Sequence, residues 1–230
     1  MAAKHTVAAV LNQHQDALSG WVKNTWKSRT LHAIRKCRTK ALGGHIDQCD
    51  CCDKLHLSYN SCRNRHCPNC QGHKRQQWIA ARNNELLEVP YFHVVFTIDH
   101  KLNDLCLINP KLVYATLFKT AWATLAGFAQ NPTYLDARIG AIMLLHTWGQ
   151  NLSLHPHVHC IVPAGGVDKN GKWKKSKNKG DFLFPVKEMS KVFRAKFVAE
   201  LRKSKAKVPQ KTYDKLFSKP WVVYAKQAFG

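Results

Sequence analysis

Residues 155–162 read "HPHVHCIV", with histidine at alternate positions running into an apolar end. Successive side chains of a β-strand point to opposite faces, so His155, His157 and His159 share one face while Val158, Cys160 and Val162 share the other. The spacing predicts a strand that is buried on one side and offers imidazoles on the side left to solvent or to chemistry.

The flanks extend this reading. Residues 137–148, "ARIGAIMLLHTW", predict a second strand, and the short loop between the two makes them antiparallel neighbours. "PYFHVVFTI" (residues 90–98) is dense in β-branched and aromatic residues and predicts a central strand. Pro110 opens a helical stretch from Lys111 to about Phe128. Downstream, Asn170-Gly171 within "GVDKNGKWKK" signals a hairpin turn. "FLFP" (182–185) predicts a short strand, "KEMSKVFRAKFVAELRK" (187–203) an amphipathic helix and "PWVVYA" (220–225) a last strand, while "KKSKNKGD" (174–181) reads as a basic, disordered loop. Strands and helices alternate without a βαβ rhythm, which predicts an α+β fold built on an antiparallel sheet. No internal repeat is visible.

Charge narrows the function. The 230 residues are 45% hydrophobic, enough for a proper core in one large or two smaller domains, yet 36 Lys and Arg face 14 Asp and Glu for a net +22. Such self-repulsion is most readily tolerated by a protein whose partner is a polyanion, and nucleic acid is the first candidate. An anionic membrane competes, but no 18-residue apolar run, signal peptide or anchored basic helix is apparent in the sequence. An intracellular protein is expected.

Cysteine usage agrees with that location. Cys49 and Cys52 form one C-x-x-C step and Cys67 and Cys70 another, and paired steps of this kind close a tetrahedral thiolate shell around zinc. The spacer fits a zinc ribbon or treble-clef knuckle, and "KLHLSY" (54–59) alternates like one strand of its hairpin. Cys37, His45, Cys62 and His66 are left over as a possible second zinc set, with Cys51 spare. Helical spacing after Thr6 predicts one or two helices in the first 35 residues, and "QGHKRQQWIAARNNELL" (71–87) predicts another that ends near Pro90, with Trp78 in the core. Arg63 and Arg65 on the knuckle, with Lys74 and Arg75 in the helix that follows, predict a surface that contacts DNA phosphates. The expected division is a zinc-binding, DNA-binding module over residues 1–88 and a second domain over 89–230.

Taken in order, "CRTKALGGHIDQCDCC", "YNSCRNRHCPNCQ", "YFHVVFTI", "LHTWGQNLSLHPHVHCIVPAGG" and "PWVVYAKQAFG" resemble the two-tyrosine rolling-circle transposases of bacterial insertion sequences, from about residue 10 to the last. The resemblance implies a zinc module followed by an HUH (His-hydrophobic-His) nuclease domain, acting on single-stranded DNA or hairpin ends in the bacterial cytoplasm. It maps the metal pair onto His157 and His159, holding catalytic magnesium or manganese, with a third ligand open among His155, His146 and His93. Two imidazoles two residues apart on a strand have Cα atoms about 6.5–7 Å apart, a span one divalent ion can bridge. The family's Tyr-x-x-x-Tyr nucleophiles have no counterpart among Tyr59, Tyr91, Tyr114, Tyr134, Tyr213 and Tyr224, so the catalytic residue stays unknown. The expectation is a transposase interrupted before its tyrosine helix; the alternative is a catalytically inactive zinc-dependent DNA-binding fragment or regulator.

Overall fold

The computed structural model describes residues 6–20, 22, 25–177, 183–204 and 206–229. The chain separates into two compact units, Met1–Leu86 and Leu87–Gly230.

In the first unit the Thr6 hydroxyl accepts from the Ala9 amide at 3.1 Å and caps α1 (Val7–Gln13), which is followed by α2 (Gln15–Ser19) and α3 (Thr25–Arg35). The Arg35 guanidinium donates to Asn12 Oδ1 at 2.6 Å and to Gln15 Oε1 at 2.5 Å, fastening α3 to the two short helices. β1 (Gly44–Gln48) and β2 (Leu55–Tyr59) form an antiparallel hairpin, and α4 (Pro68–Asn83) begins on a proline whose missing N–H would have had no helical partner. The buried apolar cluster of this unit is small, with Ile34, Cys37 and Cys67 at its centre, so the module needs a further source of stability. Trp78 contributes nothing to it: the indole is 40% exposed and carries the Arg82 guanidinium 5.7 Å from its ring centre, because α4 has no apolar stripe to bury.

The second unit contains β3 (Tyr91–Thr97), α5 (Asn103–Ile108), α6 (Pro110–Gln130), β4 (Ile142–Trp148), β5 (Leu154–Pro163), β6 (Gly165–Val167), β7 (Trp173–Lys175), α7 (Val186–Lys203), α8 (Gln210–Leu216) and β8 (Val223–Ala225). Its main sheet has the order β4-β5-β3-β8, antiparallel throughout. Phe92, Val94, Phe96, Val158, Cys160 and Val162 point to one face and are fully buried. They share a core with Val113, Leu117, Ala121 and Leu125 of α6 and with Met189, Phe193, Phe197 and Leu201 of α7. Each Val, Leu, Met or Phe side chain among them contributes roughly 1.5–3 kcal/mol by leaving water. By length and composition α6 could cross a membrane, but its apolar stripe is the wall of this core. β4 and β5 are antiparallel neighbours, as their short connection predicts.

Two stretches differ from the sequence reading. Leu183 and Phe184 are buried but lie outside any strand, since two core anchors need no ladder partner; Phe182 falls outside the described residues. Of the basic loop, Lys174 and Lys175 belong to β7 and the Lys177 ammonium donates to the carbonyls of Pro132 and Thr133 at 3.1 and 3.2 Å, while residues 178–181 fall outside the described residues. The β6–β7 hairpin turns at Gly171 with φ +79°. At Gly166 a Cβ would sit 2.4 Å from the Arg138 carbonyl oxygen, so only glycine lets the hairpin bridge to residue 138.

Candidate metal centres

Four thiols converge in the first unit, and they are Cys37, Cys62, Cys67 and Cys70, whose sulfurs all lie within 4.8 Å of one another. The Cys37–Cys70 separation is 3.5 Å, and Cys62–Cys70 and Cys67–Cys37 are both 3.6 Å. A tetrahedron with zinc–sulfur bonds near 2.3 Å has edges of about 3.8 Å, so this donor set fits zinc with almost no adjustment. Burial pushes the Cys37 thiol up to about 12, whereas at Cys70 burial is outweighed by the other three thiols, which bring it down to about 7. The cluster therefore already holds one thiolate most easily at Cys70, and a cation at its centre would favour the rest. These four cysteines form a zinc-binding module.

This corrects the ligand set read from spacing. Cys49 and Cys52 do not join Cys67 and Cys70; they are exposed at the β1–β2 turn, where the Cys49 amide donates to the Lys54 carbonyl at 3.0 Å. Five-residue strands carry that turn about 16 Å from the open end of the hairpin, which is where the chain arrives from Cys37 and leaves for Cys62. The second set is likewise divided. Cys37 and Cys62 enter the thiol cluster, His45 pairs with Asp47 at 3.5 Å on β1, and His66 packs edge-on against Trp26 at 5.1 Å. Cys51 stays exposed beside Cys49. Arg63, Arg65, Lys74 and Arg75 are all exposed; Arg63, at φ +51°, lines a cleft of about 910 Å³ with Arg38, His45, His56 and Ser58.

A second cluster lies on the open face of the main sheet. Pairing sets His146 opposite His157, and ligand nitrogens of His146, His157 and His159 lie within 4.8 Å of one another. At His157 a local bond fixes which nitrogen is available. His157 Nδ1 donates to the His155 carbonyl at 2.6 Å, leaving Nε2 as the lone-pair atom. His159 Nδ1 lies 2.6 Å from His93 Nε2, and His159 Nε2 is a buried polar atom with no hydrogen-bond partner. An orphaned buried nitrogen beside two more imidazoles suits a divalent cation. Burial, followed by repulsion from His146, His157 and His93, lowers His159 to about 4, so the ring is neutral at pH 7, the form that binds metal. Burial also lowers His146, His155 and His93.

Of the three candidates for a third ligand, His146 joins the cluster, His155 stands at the strand's exposed start and supplies only its carbonyl, and His93 contacts His159. Changing His93 to Ala should weaken manganese binding about 10- to 100-fold, measured by calorimetry, because the ring that orients His159 is gone. Unchanged affinity would show that His93 is only a neighbour. Three residues that no pattern singled out, Lys101, Lys215 and Lys219, line a cavity of about 630 Å³ that shares His155 with the histidine pocket. They come from separate segments, so only the fold brings them together.

An open-faced antiparallel sheet with paired histidines, preceded by a four-thiol zinc module, defines a zinc-binding HUH-type chain. Residues 10–98 match the family model described as "Transposase zinc-binding domain", and residues 140–230 match the one described as "Putative transposase". The chain belongs to the zinc-binding, HUH-type transposase family of insertion sequences. "Putative transposase y4qJ" of Sinorhizobium fredii is 46% identical over 182 residues, 79% of this chain and 45% of that protein. "Transposase for insertion sequence element IS801" of Pseudomonas savastanoi pv. phaseolicola is 37% identical over 147 residues, 63% of this chain and 35% of that protein. The chain thus spans less than half the length of these relatives. Among solved structures, a conjugative relaxase TrwC in complex with oriT DNA aligns at 12% identity and TM-score 0.39 over 50% of this chain and 43% of that one.

Proposed function

We propose that this chain supplies the DNA-binding zinc module and the metal-holding sheet of a transposase that nicks single-stranded DNA, or the single-stranded part of a hairpin end, and transfers the cut strand through a phosphotyrosine link. The observation that carries the reading is the trio His146, His157 and His159, with His159 Nε2 buried and without a hydrogen-bond partner. Bound there, magnesium or manganese would polarise the scissile phosphate and offset charge developing on the leaving oxygen. The protein's own part is positional. Bonds from His155 and His93 hold the ligand rings in one orientation, and Lys215 and Lys219, with Lys101 paired to Asp99 beside them, give an incoming strand a cationic path to them. A tyrosine hydroxyl then attacks phosphorus, the oxygen–phosphorus bond to the neighbouring nucleotide breaks, and the phosphodiester energy is kept for strand transfer. The nucleophile is assigned to none of the six tyrosines. Tyr224 is the nearest in layout: it is exposed on β8, in the same cross-sheet row as Val95 and His159.

The test is a denaturing gel with labelled single-stranded DNA and manganese. The 230-residue chain should leave no covalent adduct, whereas a chain extended through a helix with two tyrosines one turn apart should. An adduct with the shorter chain overturns the assignment of the nucleophile, with Tyr224 the first position to change; none with either chain sinks the nuclease reading. DNA affinity of the shorter chain should fall steeply with salt as condensed cations are released, and Arg63→Ala should lower the slope of log affinity against log salt by about 1. A slope unaffected by Arg63 would remove that residue from the interface. The second reading is a DNA-binding regulator without cleavage; adduct formation by the extended chain decides against it.

A further inference from the structure

The histidine pocket is far larger than an ion needs. It encloses about 810 Å³ and is lined beyond the imidazoles by Trp148, Gly149, Gln150, Asn151 and Ser153. Pockets of roughly 300–1,000 Å³ hold groups the size of small organic molecules. Beside the histidines, its lining includes an aromatic ring.

That ring is misplaced for any structural role. Trp148 ends β4 on the face away from the core, and its side chain is 54% exposed, while the buried cluster is complete without it. A lone exposed aromatic is ordinary, but this one is oriented. The register between β4 and β5 shifts between His146 and Trp148, an irregularity of the kind that re-aims a side chain at a sheet edge. The outcome is an indole lying parallel to the His146 imidazole, 8° between planes and 5.6 Å between centres. One ring face rests against a histidine of the metal cluster and the remainder is presented to the pocket. The adjoining loop is held in shape from within: the Gly149 amide donates to the Ser153 carbonyl at 2.9 Å, and Asn151 Oδ1 accepts from the Ser153 amide at 3.1 Å and hydroxyl at 2.7 Å. The wall is therefore formed before anything enters.

We infer that Trp148 is a stacking platform for one unpaired nucleobase, the base attached to a nucleotide next to the phosphate that the histidines address. The inference rests on the reading of the histidine face as a single-stranded DNA site and adds to it a base-binding subsite. Three features select a nucleobase over other flat ligands. His146, one of the three histidines addressed to the phosphate, is in ring contact with the indole, the lysine-lined cavity continues from the same pocket past His155, and a stacked base needs only a π-face, which every base has. Only unpaired bases can be splayed onto such a ring, so the platform also discriminates single strands from duplex.

The experiment measures binding of the full chain to a set of labelled single-stranded oligonucleotides, each with one abasic position moved along the strand, in buffer without added magnesium or manganese. Trp148→Ala should weaken binding to the intact strand about 5- to 150-fold, and Trp148→Phe should restore most of it. At one position alone, removing the base should weaken the parent by a similar factor and leave Trp148→Ala unaffected. Equal losses in parent and alanine variant at every position, or an alanine variant that binds as the parent does, would overturn the platform. A parent that binds no single-stranded DNA overturns both this and the nuclease reading. Coupling at one position in a parent that shows no manganese affinity supports the platform and sinks the metal reading alone.

Discussion

Cys67→Ser should empty the zinc module and unfold Met1–Leu86, whereas Cys52→Ser should leave both intact. Cys67 is 1% exposed and its sulfur lies 3.6 Å from Cys37, so serine removes a ligand at the centre of the cluster. Structural zinc contributes roughly 10–16 kcal/mol to small modules, as much as the whole stability of an ordinary domain. A unit with so small an apolar cluster has nothing to offset that loss. Elemental analysis should find at least one zinc per chain in the parent and Cys52→Ser, and less than half an equivalent in Cys67→Ser. Rapid proteolysis confined to the first unit should follow. Zinc lost equally from both variants would restore Cys49 and Cys52 as ligands.

The double variant His157→Ala/His159→Ala should bind manganese at least about 100-fold more weakly, since losing two ligands exceeds the 10- to 100-fold effect of outer contacts. In the tyrosine-bearing protein, adduct formation should drop about 1,000-fold or more, because several kcal/mol of charge stabilisation at the phosphate disappears. Zinc content and salt-dependent DNA binding should stay where they are. Burial and the neighbouring imidazoles hold His159 at about 4, well below the usual 6.5, so that ring is neutral in mildly acidic solution. Adducts formed equally well without the two histidines would end the metal reading.

Much of the second unit was legible because β5 carries its own alternation: the same period that buries Val158 and Cys160 exposes His157 and His159. What spacing could not supply was cross-strand register. His146 faces His157 only through a pairing that becomes irregular just past it, and His93 meets His159 across another strand boundary. The zinc ligands failed for a related reason. C-x-x-C counting treats local pairs as equivalent, but a hairpin separates its tip from its base, and Cys49 and Cys52 are at the tip. The compact run Cys62, Cys67, Cys70 was the better signal, with Cys37 brought in where Arg38 donates its amide to the Asn60 carbonyl at 3.1 Å.

The two-faced strand β5 also makes the histidine cluster a check on folding itself. If β5 slid by one residue against β3, the inward positions now held by Val158, Cys160 and Val162 would receive imidazoles, and valines would take the place of the ligands. Each unpaired ring nitrogen forced into that core would cost roughly 1–3 kcal/mol, and no trio of nitrogens would exist outside it. Misaligned chains are therefore unstable and bring no three imidazoles together, so the histidine cluster can form only on a sheet that is correctly zipped.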